Sequence, residues 1–67
     1  MIQMTLKAAR VNAGLTQEEA AKAIGTSVST LKKWENSTSF PRQPQIMKMC
    51  EVYKVSYDDI FFDSRLA

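Results

Sequence analysis

The sequence contains no histidine and only one cysteine, Cys50, among its 67 residues. With a single thiol no intramolecular disulfide can form, and a zinc cluster built from Cys and His ligands is excluded. The side chain that most often acts as a general base is also missing, and the acidic residues form no recognisable catalytic pair. We therefore expect a protein that is not an enzyme and that binds no metal, cofactor or small-molecule ligand.

Long apolar runs are absent as well. No stretch approaches the roughly 18 apolar residues of a membrane span, and the first ten residues, MIQMTLKAAR, lack the apolar segment of a signal peptide. We therefore expect a cytoplasmic protein without membrane contact. A chain of this length forms one domain and buries only about 60% of its unfolded surface, so its core is thin and self-association would stabilise it.

The net charge is only +2, but it is distributed unevenly along the chain. Residues 26–48 include four basic residues and one acidic residue, whereas residues 51–63 include one basic residue and four acidic residues. A basic middle and an acidic end are expected if one face of the protein meets an anion. The alternative is a random scatter of charges over a solvated surface.

Signals that start and stop helices are frequent, and strand-like alternation is absent. Apolar residues recur at helical spacing from Ile2 to Ala13, and Gly14 can end this first helix in a left-handed conformation. Thr16 begins a second helix, TQEEAAKAIG, in which Glu19, three residues later, completes a capping box. These patterns predict an all-α protein.

Three more helices are predicted after the second one. The third runs from about Ser27 to Glu35, and the polar loop NSTSFPRQP separates it from the fourth. Apolar residues at i, i+3, i+4 and i+7 mark the fourth helix; they are Ile46, Met49, Cys50 and Tyr53. Ser56 and Asp59 begin a short fifth helix. The apolar residues of the last two helices are interpreted as core.

The junction of the second and third helices has the composition of a helix-turn-helix. Ala21 is small enough for the third helix to approach the second closely, and Gly25 can take a positive φ without steric cost. Leu31 and Trp34 anchor the third helix from beneath. A sharp turn between two packed helices needs these features together.

The outer face of the third helix is polar and cationic. A helical wheel at about 100° per residue directs four side chains away from the two anchoring residues, namely Ser29, Lys32, Lys33 and Asn36, with Val28 at the flank. Such a helix fits the DNA major groove, where Ser and Lys can contact base edges and Val can contact a thymine methyl group. The alternative interpretation is a helix face that is merely solvated.

Two stretches resemble a known family. GLTQEEAAKAIGTSVSTLKKWEN closely resembles the helix-turn-helix of the lambdoid phage repressors, also called the xenobiotic-response-element or Cro/repressor type. VSYDDIFF resembles the V-S-x-D-x-L-F ending of the same family. The resemblance covers residues 1–62 and leaves residues 63–67 as a short C-terminal tail. It implies a compact lambda-repressor-like domain of five helices that binds operator DNA as a dimeric, sequence-specific transcriptional regulator, such as a phage or prophage repressor or its antagonist.

The resemblance also implies which residues contact double-stranded DNA. They lie in the third helix, at the start of the second helix and in the loop after the third. Base contacts fall on Ser27, Val28, Ser29, Lys32 and Lys33, and backbone contacts fall on Thr16, Gln17, Asn36 and Arg42. At Thr16 and Gln17 the start of the helix would present free amides to a phosphate.

Two further expectations concern the third helix. Family members often pair an Arg of the first helix with the Glu that ends the third, so we expect a partly buried ion pair between Arg10 and Glu35. The family frequently has Gly after the next residue, Asn36, whereas this chain has Ser37. The sequence therefore predicts that Asn36 ends the helix in a left-handed conformation.

Dimerisation is expected to use the C-terminal half of the chain. The apolar surface at that end of the chain is larger than one short helix can bury; it belongs to Tyr57, Ile60, Phe61 and Phe62. The homodimer is expected to be weak in solution. A second function remains open: a protein-interaction module of the same fold, such as an antitoxin or antirepressor. That function would favour an apolar patch on the third helix, where this chain has Ser, Lys and Asn.

Overall fold

The computed structural model describes residues 4–60. Ile2, Phe61, Phe62 and the predicted tail 63–67 lie outside the described residues. Four α-helices follow one another along the chain: α1 is Leu6–Asn12, α2 is Gln17–Ile24, α3 is Val28–Glu35 and α4 is Gln43–Tyr53. The all-α class is confirmed for this part of the chain, in which no strand forms.

The predicted fifth helix is a single turn of 3-10 helix, Tyr57–Asp59, so the count of five α-helices is not confirmed. The Asp59 carboxylate accepts hydrogen bonds from the amide and hydroxyl of Ser56, at 3.3 and 3.1 Å, and this starts the turn as predicted. The turn does not continue because Ile60 is extended and forms a parallel bridge with Met4. The amide of Met4 donates to the Asp59 carbonyl at 2.8 Å.

The same bridge shortens the first helix. The sequence predicted a helical pattern from Ile2, but α1 begins at Leu6 because Met4 pairs with Ile60 and Thr5 caps the helix. The Thr5 hydroxyl accepts from the Ala8 amide at 3.1 Å. Met4 and Thr5 therefore lie outside the helix, and Met4 ties the two ends of the described chain together.

Residues with positive φ end three of the helical segments. Gly14 and Gly25 have φ values of 77° and 92°, and Lys54 after α4 has a φ of 58°. The prediction that Asn36 is left-handed is wrong. Asn36 has a φ of −91°, and the next residue, Ser37, has a φ of 60°. Ser37 thus takes the left-handed conformation itself, at the position where the family often has Gly.

One core joins all four helices. α2 packs against α3 and α4, and α1 packs against the same two helices. The buried apolar residues are Leu6, Ala9, Ala20, Ala21, Leu31, Trp34, Ile46, Met49, Cys50, Tyr53 and Ile60. Burial raises the pKa of the Cys50 thiol, and the Asp59 carboxylate raises it further, so the group remains a neutral thiol in the core.

Candidate nucleic-acid interface

The turn between α2 and α3 is built on Ala21 and Gly25. Ala21 is buried, and its carbonyl accepts hydrogen bonds from the amides of Gly25 and Thr26, both at 2.9 Å. This closes α2 while Gly25, in the left-handed region, redirects the chain. Because a Cβ at Gly25 would meet no atom within 4 Å, its backbone conformation, rather than crowding, favours glycine there.

α3 is amphipathic in the manner that the helical wheel predicts. Leu31 and Trp34 are buried in the core. On the opposite side four residues are exposed to solvent: Ser29, Lys32, Lys33 and Asn36. Val28 is half-buried, because part of its side chain packs against the core, and the rest borders the exposed side. We call the four exposed residues the outer face of α3.

The outer face of α3 is a cationic surface. Neither Lys32 nor Lys33 forms an ion pair with another group in residues 4–60. The single carboxylate of α3, on Glu35, points to the other side of the helix, where its side chain is only 2% exposed. The outer face therefore has two positive charges with no neutralising acid, and it can meet an anionic partner without first breaking an internal contact.

Glu35 lies at the centre of a network that fixes the orientation of α3. Arg10 of α1 donates to Glu35 through Nε, at 2.7 Å, and through a second, longer contact of 3.5 Å. The Arg10 guanidinium also donates to the Leu15 carbonyl at 2.8 Å. Gln17, the first residue of α2, donates from its side-chain Nε2 to Oε1 of Glu35 at 3.1 Å. The predicted Arg10–Glu35 pair is present, and it links α1, α2 and α3.

The contact between Gln17 and Glu35 is not predicted from the sequence. The family resemblance predicts only a phosphate contact for Gln17. The buried Glu35 was the available signal, because a carboxylate accepts several hydrogen bonds and a single Arg seldom supplies them all. Since Gln17 is half-exposed, its side chain borders both the network and the surface. Gln17 therefore connects the start of α2 to the end of α3.

Tyr53 of α4 lies close to the same network. It is only 3% exposed, and its hydroxyl has no hydrogen-bond partner among residues 4–60. Burial raises the pKa of Tyr53 to about 12, the Glu35 charge raises it as well, and Arg10 partly opposes them. Tyr53 is therefore a neutral group of the core that lies within the electrostatic influence of the charged pair.

Two residues assigned to DNA contacts also cap helices. The Ser27 hydroxyl accepts from the Thr30 amide at 3.1 Å and donates to the Thr30 hydroxyl at 3.0 Å. Thr16 forms the predicted capping box, in which its hydroxyl accepts from the Glu19 amide and its own amide donates to the Glu19 carboxylate. Since the amide of Thr16 is occupied, the amides that α2 offers to an anion are those of Gln17 and Glu18.

Arg42 and Asn36 flank the loop after α3, and both are exposed. Asn36 follows the last residue of α3, and Arg42 precedes the first residue of α4, where its amide donates to the Gln45 side chain at 2.9 Å. These positions give the loop a polar group at one end and a cation at the other. No helix in residues 4–60 is long and apolar enough to cross a membrane.

This geometry belongs to a known class of proteins. The model of the helix-turn-helix family matches residues 6–60, from the start of α1 through the 3-10 turn. The chain therefore belongs to the helix-turn-helix family, and the match agrees with the repressor-type resemblance of its sequence.

A more specific likeness is to antitoxin PezA of Streptococcus pneumoniae serotype 4, which is 35% identical over 66 residues. The matched segment is 98% of this chain and 42% of PezA, so the chain spans less than half the length of that relative. No solved structure matches the chain at a significant level.

Proposed function

We propose that this protein is a sequence-specific transcriptional regulator of the phage or prophage repressor type that inserts α3 into the major groove of an operator. The outer face of α3 carries the proposal. Three of its four polar side chains lie on α3 and the fourth, on Asn36, follows the helix directly, while the opposite side is anchored by Leu31 and Trp34. A rigid helix with free donors is what the major groove admits and what its base edges can bond.

Contacts with the DNA backbone would fix the register of α3. We assign these contacts to the first turn of α2, through the amides of Gln17 and Glu18, the exposed Thr16 and the Gln17 side chain, and to Asn36 and Arg42 in the loop. The network around Glu35 supports this assignment because it holds the start of α2 at the end of α3. Phosphate contacts of this kind position a protein on the duplex, whereas base contacts specify the sequence.

We further propose that two copies bind one operator. A single recognition helix reads only a few base pairs, whereas two helices related by a two-fold axis and about 34 Å apart reach successive major grooves. Ile60 cannot supply the pairing surface expected of it, because it is 8% exposed and packs in the core of its own chain. Tyr57, which is 47% exposed, retains that role.

A mobility shift at fixed salt tests the groove assignment. Ser29→Ala and Lys33→Ala should each weaken binding to a specific duplex, because a good base contact contributes about 1–3 kcal/mol. Lys54→Asn is the matched control, since it removes an exposed charge at the end of α4 and Asn tolerates a positive φ. Unchanged affinity in both α3 variants, with folding verified by circular dichroism, would count against the assignment.

A second measurement tests the dimer. The mass of the complex at saturation should correspond to two chains per duplex, and the site should contain two related half-sites one helical turn apart. One chain per duplex, on a site with a single half-site, would contradict the dimer and leave the helix-turn-helix assignment in place.

The likeness to an antitoxin favours a second candidate, namely an antitoxin that acts mainly through a partner protein. Exposed apolar side chains outside α3, on Val11, Met47 and Tyr57, are compatible with such a contact. The two candidates differ in what the α3 variants do in cells. If the protein acts through a partner, its cellular effect should survive Ser29→Ala and Lys33→Ala, whereas a regulator should lose its effect with its DNA binding.

A further inference from the structure

We infer that each half-site of the operator contains guanine, and that Lys32 and Lys33 recognise its N7 and O6 atoms. This inference rests on the proposed function and deepens it by naming the base. It follows from which hydrogen-bonding groups of α3 remain free once the internal contacts of the protein are formed.

Strong acceptors are missing from the outer face of α3. The carboxylate of Glu35, the one acid in the helix, accepts from Arg10 and Gln17 and is nearly inaccessible to solvent. The Ser27 hydroxyl is occupied in the cap with Thr30. A cytosine, which presents an N4 donor in the major groove, would therefore find no carboxylate to accept from it.

Asn36 is the one amide side chain on this face, and an amide is the group that pairs with adenine. It lies after the last residue of α3, however, and adopts a backbone conformation outside the helix. In helix-turn-helix proteins the residues of the recognition helix itself contact base edges in the major groove. Asn36 is therefore placed for the DNA backbone, and its position argues against adenine as the main base read by α3.

The free donors are the ammonium groups of Lys32 and Lys33. Each has three N–H donors and no acceptor, so each matches a base edge that presents acceptors only. Guanine presents two adjacent acceptors in the major groove, whereas thymine presents one acceptor beside a methyl group and adenine one acceptor beside a donor. The lysines flank Ser29 on the wheel, and their long side chains can reach the edges of neighbouring base pairs. Guanine is the base that these two residues fit best.

Selection of bound duplexes from a random library tests this inference. Wild-type protein should enrich guanine at one or more fixed positions of each half-site. In Lys32→Gln, Lys33→Gln or the double variant, guanine at such a position should give way to adenine, because Gln pairs with adenine N6 and N7. Affinity for the wild-type site should fall about 5- to 150-fold per lost contact. The Lys54→Asn control should select the wild-type site.

Two outcomes would overturn the inference while leaving the proposed function in place: half-sites without guanine, or guanine that persists in the double variant. In the second case the lysines would contact phosphates only, so affinity would fall equally on all sequences and the salt slope would drop by about 0.9 per lysine. A wild-type protein that enriches no sequence at all would instead contradict the proposed function itself.

Discussion

Arg10 and Glu35 are 25 residues apart in the sequence, yet Nε of Arg10 lies 2.7 Å from Oε2 of Glu35. Their side chains are 10% and 2% exposed, so water screens the pair only slightly. The pair joins α1 to the last residue of α3. The Gln17 side chain donates to the same carboxylate and so joins α2 to it as well. These contacts thus fix the orientation of α3, and with it the direction of its outer face, relative to α1 and α2.

The first prediction concerns this pair. Arg10→Met should destabilise the fold by about 3–5 kcal/mol, since it leaves a buried carboxylate without its cation. Replacing both residues, as in Arg10→Met with Glu35→Met, should cost less than either single change. Chemical denaturation of the four proteins gives the coupling energy. A coupling of zero would mean that the two side chains do not interact in solution.

The second prediction concerns Tyr53, whose pKa is raised to about 12 by burial and by the charge of Glu35. The unfolded chain releases the Tyr proton near pH 10, whereas the folded protein retains it. Protonation of Tyr53 therefore contributes fully to the free energy of unfolding below pH 10. This contribution, about 2–3 kcal/mol, is lost as the pH rises from 10 through about 12.

Tyr53→Phe isolates this effect, because it removes the proton and keeps the ring. At neutral pH the variant should be as stable as the wild type or slightly more so, since the lost hydroxyl has no partner in residues 4–60. Between pH 10 and 12 it should lose less stability than the wild type. Parallel curves for the two proteins across that range would contradict the assigned pKa.

The third prediction separates the two sides of α3. Trp34→Ala should cost about 3–5 kcal/mol of stability, because it removes a large buried aromatic side chain. Ser29→Ala, on the exposed side, should change stability by less than about 0.5 kcal/mol. Thermal and urea unfolding of both variants measure these costs. A Trp34→Ala protein as stable as the wild type would show that the assignment of the inner and outer faces of α3 is wrong.

The fourth prediction concerns Ser37 and its φ of 60°. Ser37→Gly should stabilise the protein by about 0.5–1 kcal/mol, because relief of left-handed strain, about 1–2 kcal/mol, exceeds the entropic cost of glycine. The matched control is Ser29→Gly, the same change inside α3, which should destabilise by about 0.5–1 kcal/mol. Equal effects of the two changes on urea unfolding would show that Ser37 carries no strain.

The sequence predicted the features of this protein that depend on neighbours along the chain. The capping box at Thr16, the turn at Gly25 and the two sides of α3 follow from spacing and from local hydrogen bonding, and they form as expected. The Arg10–Glu35 contact is long-range, and it was expected only through the resemblance to other family members. Helical periodicity predicted which helix faces are buried but not which side chains meet across the core.

The sequence failed where distant segments meet. The bridge between Met4 and Ile60 shortens α1, ends the 3-10 turn and buries Ile60. No local sequence pattern predicts this contact, because the two residues are 56 positions apart. The shift of the left-handed residue from Asn36 to Ser37 has another cause. The α-helical ladder extends one hydrogen bond further, from the Asn36 amide to Lys32, before the chain turns.

Intermolecular nuclear Overhauser effects between the protein and a selected duplex show directly which surface of the protein contacts the major groove. We expect contacts from Val28, Ser29 and Lys33 to major-groove protons, such as thymine methyl groups and cytosine H5. We also expect one set of signals for two related half-sites. A saturated complex in which α3 shows no contact with the major groove, while another surface does, would contradict the role of α3 as the recognition helix.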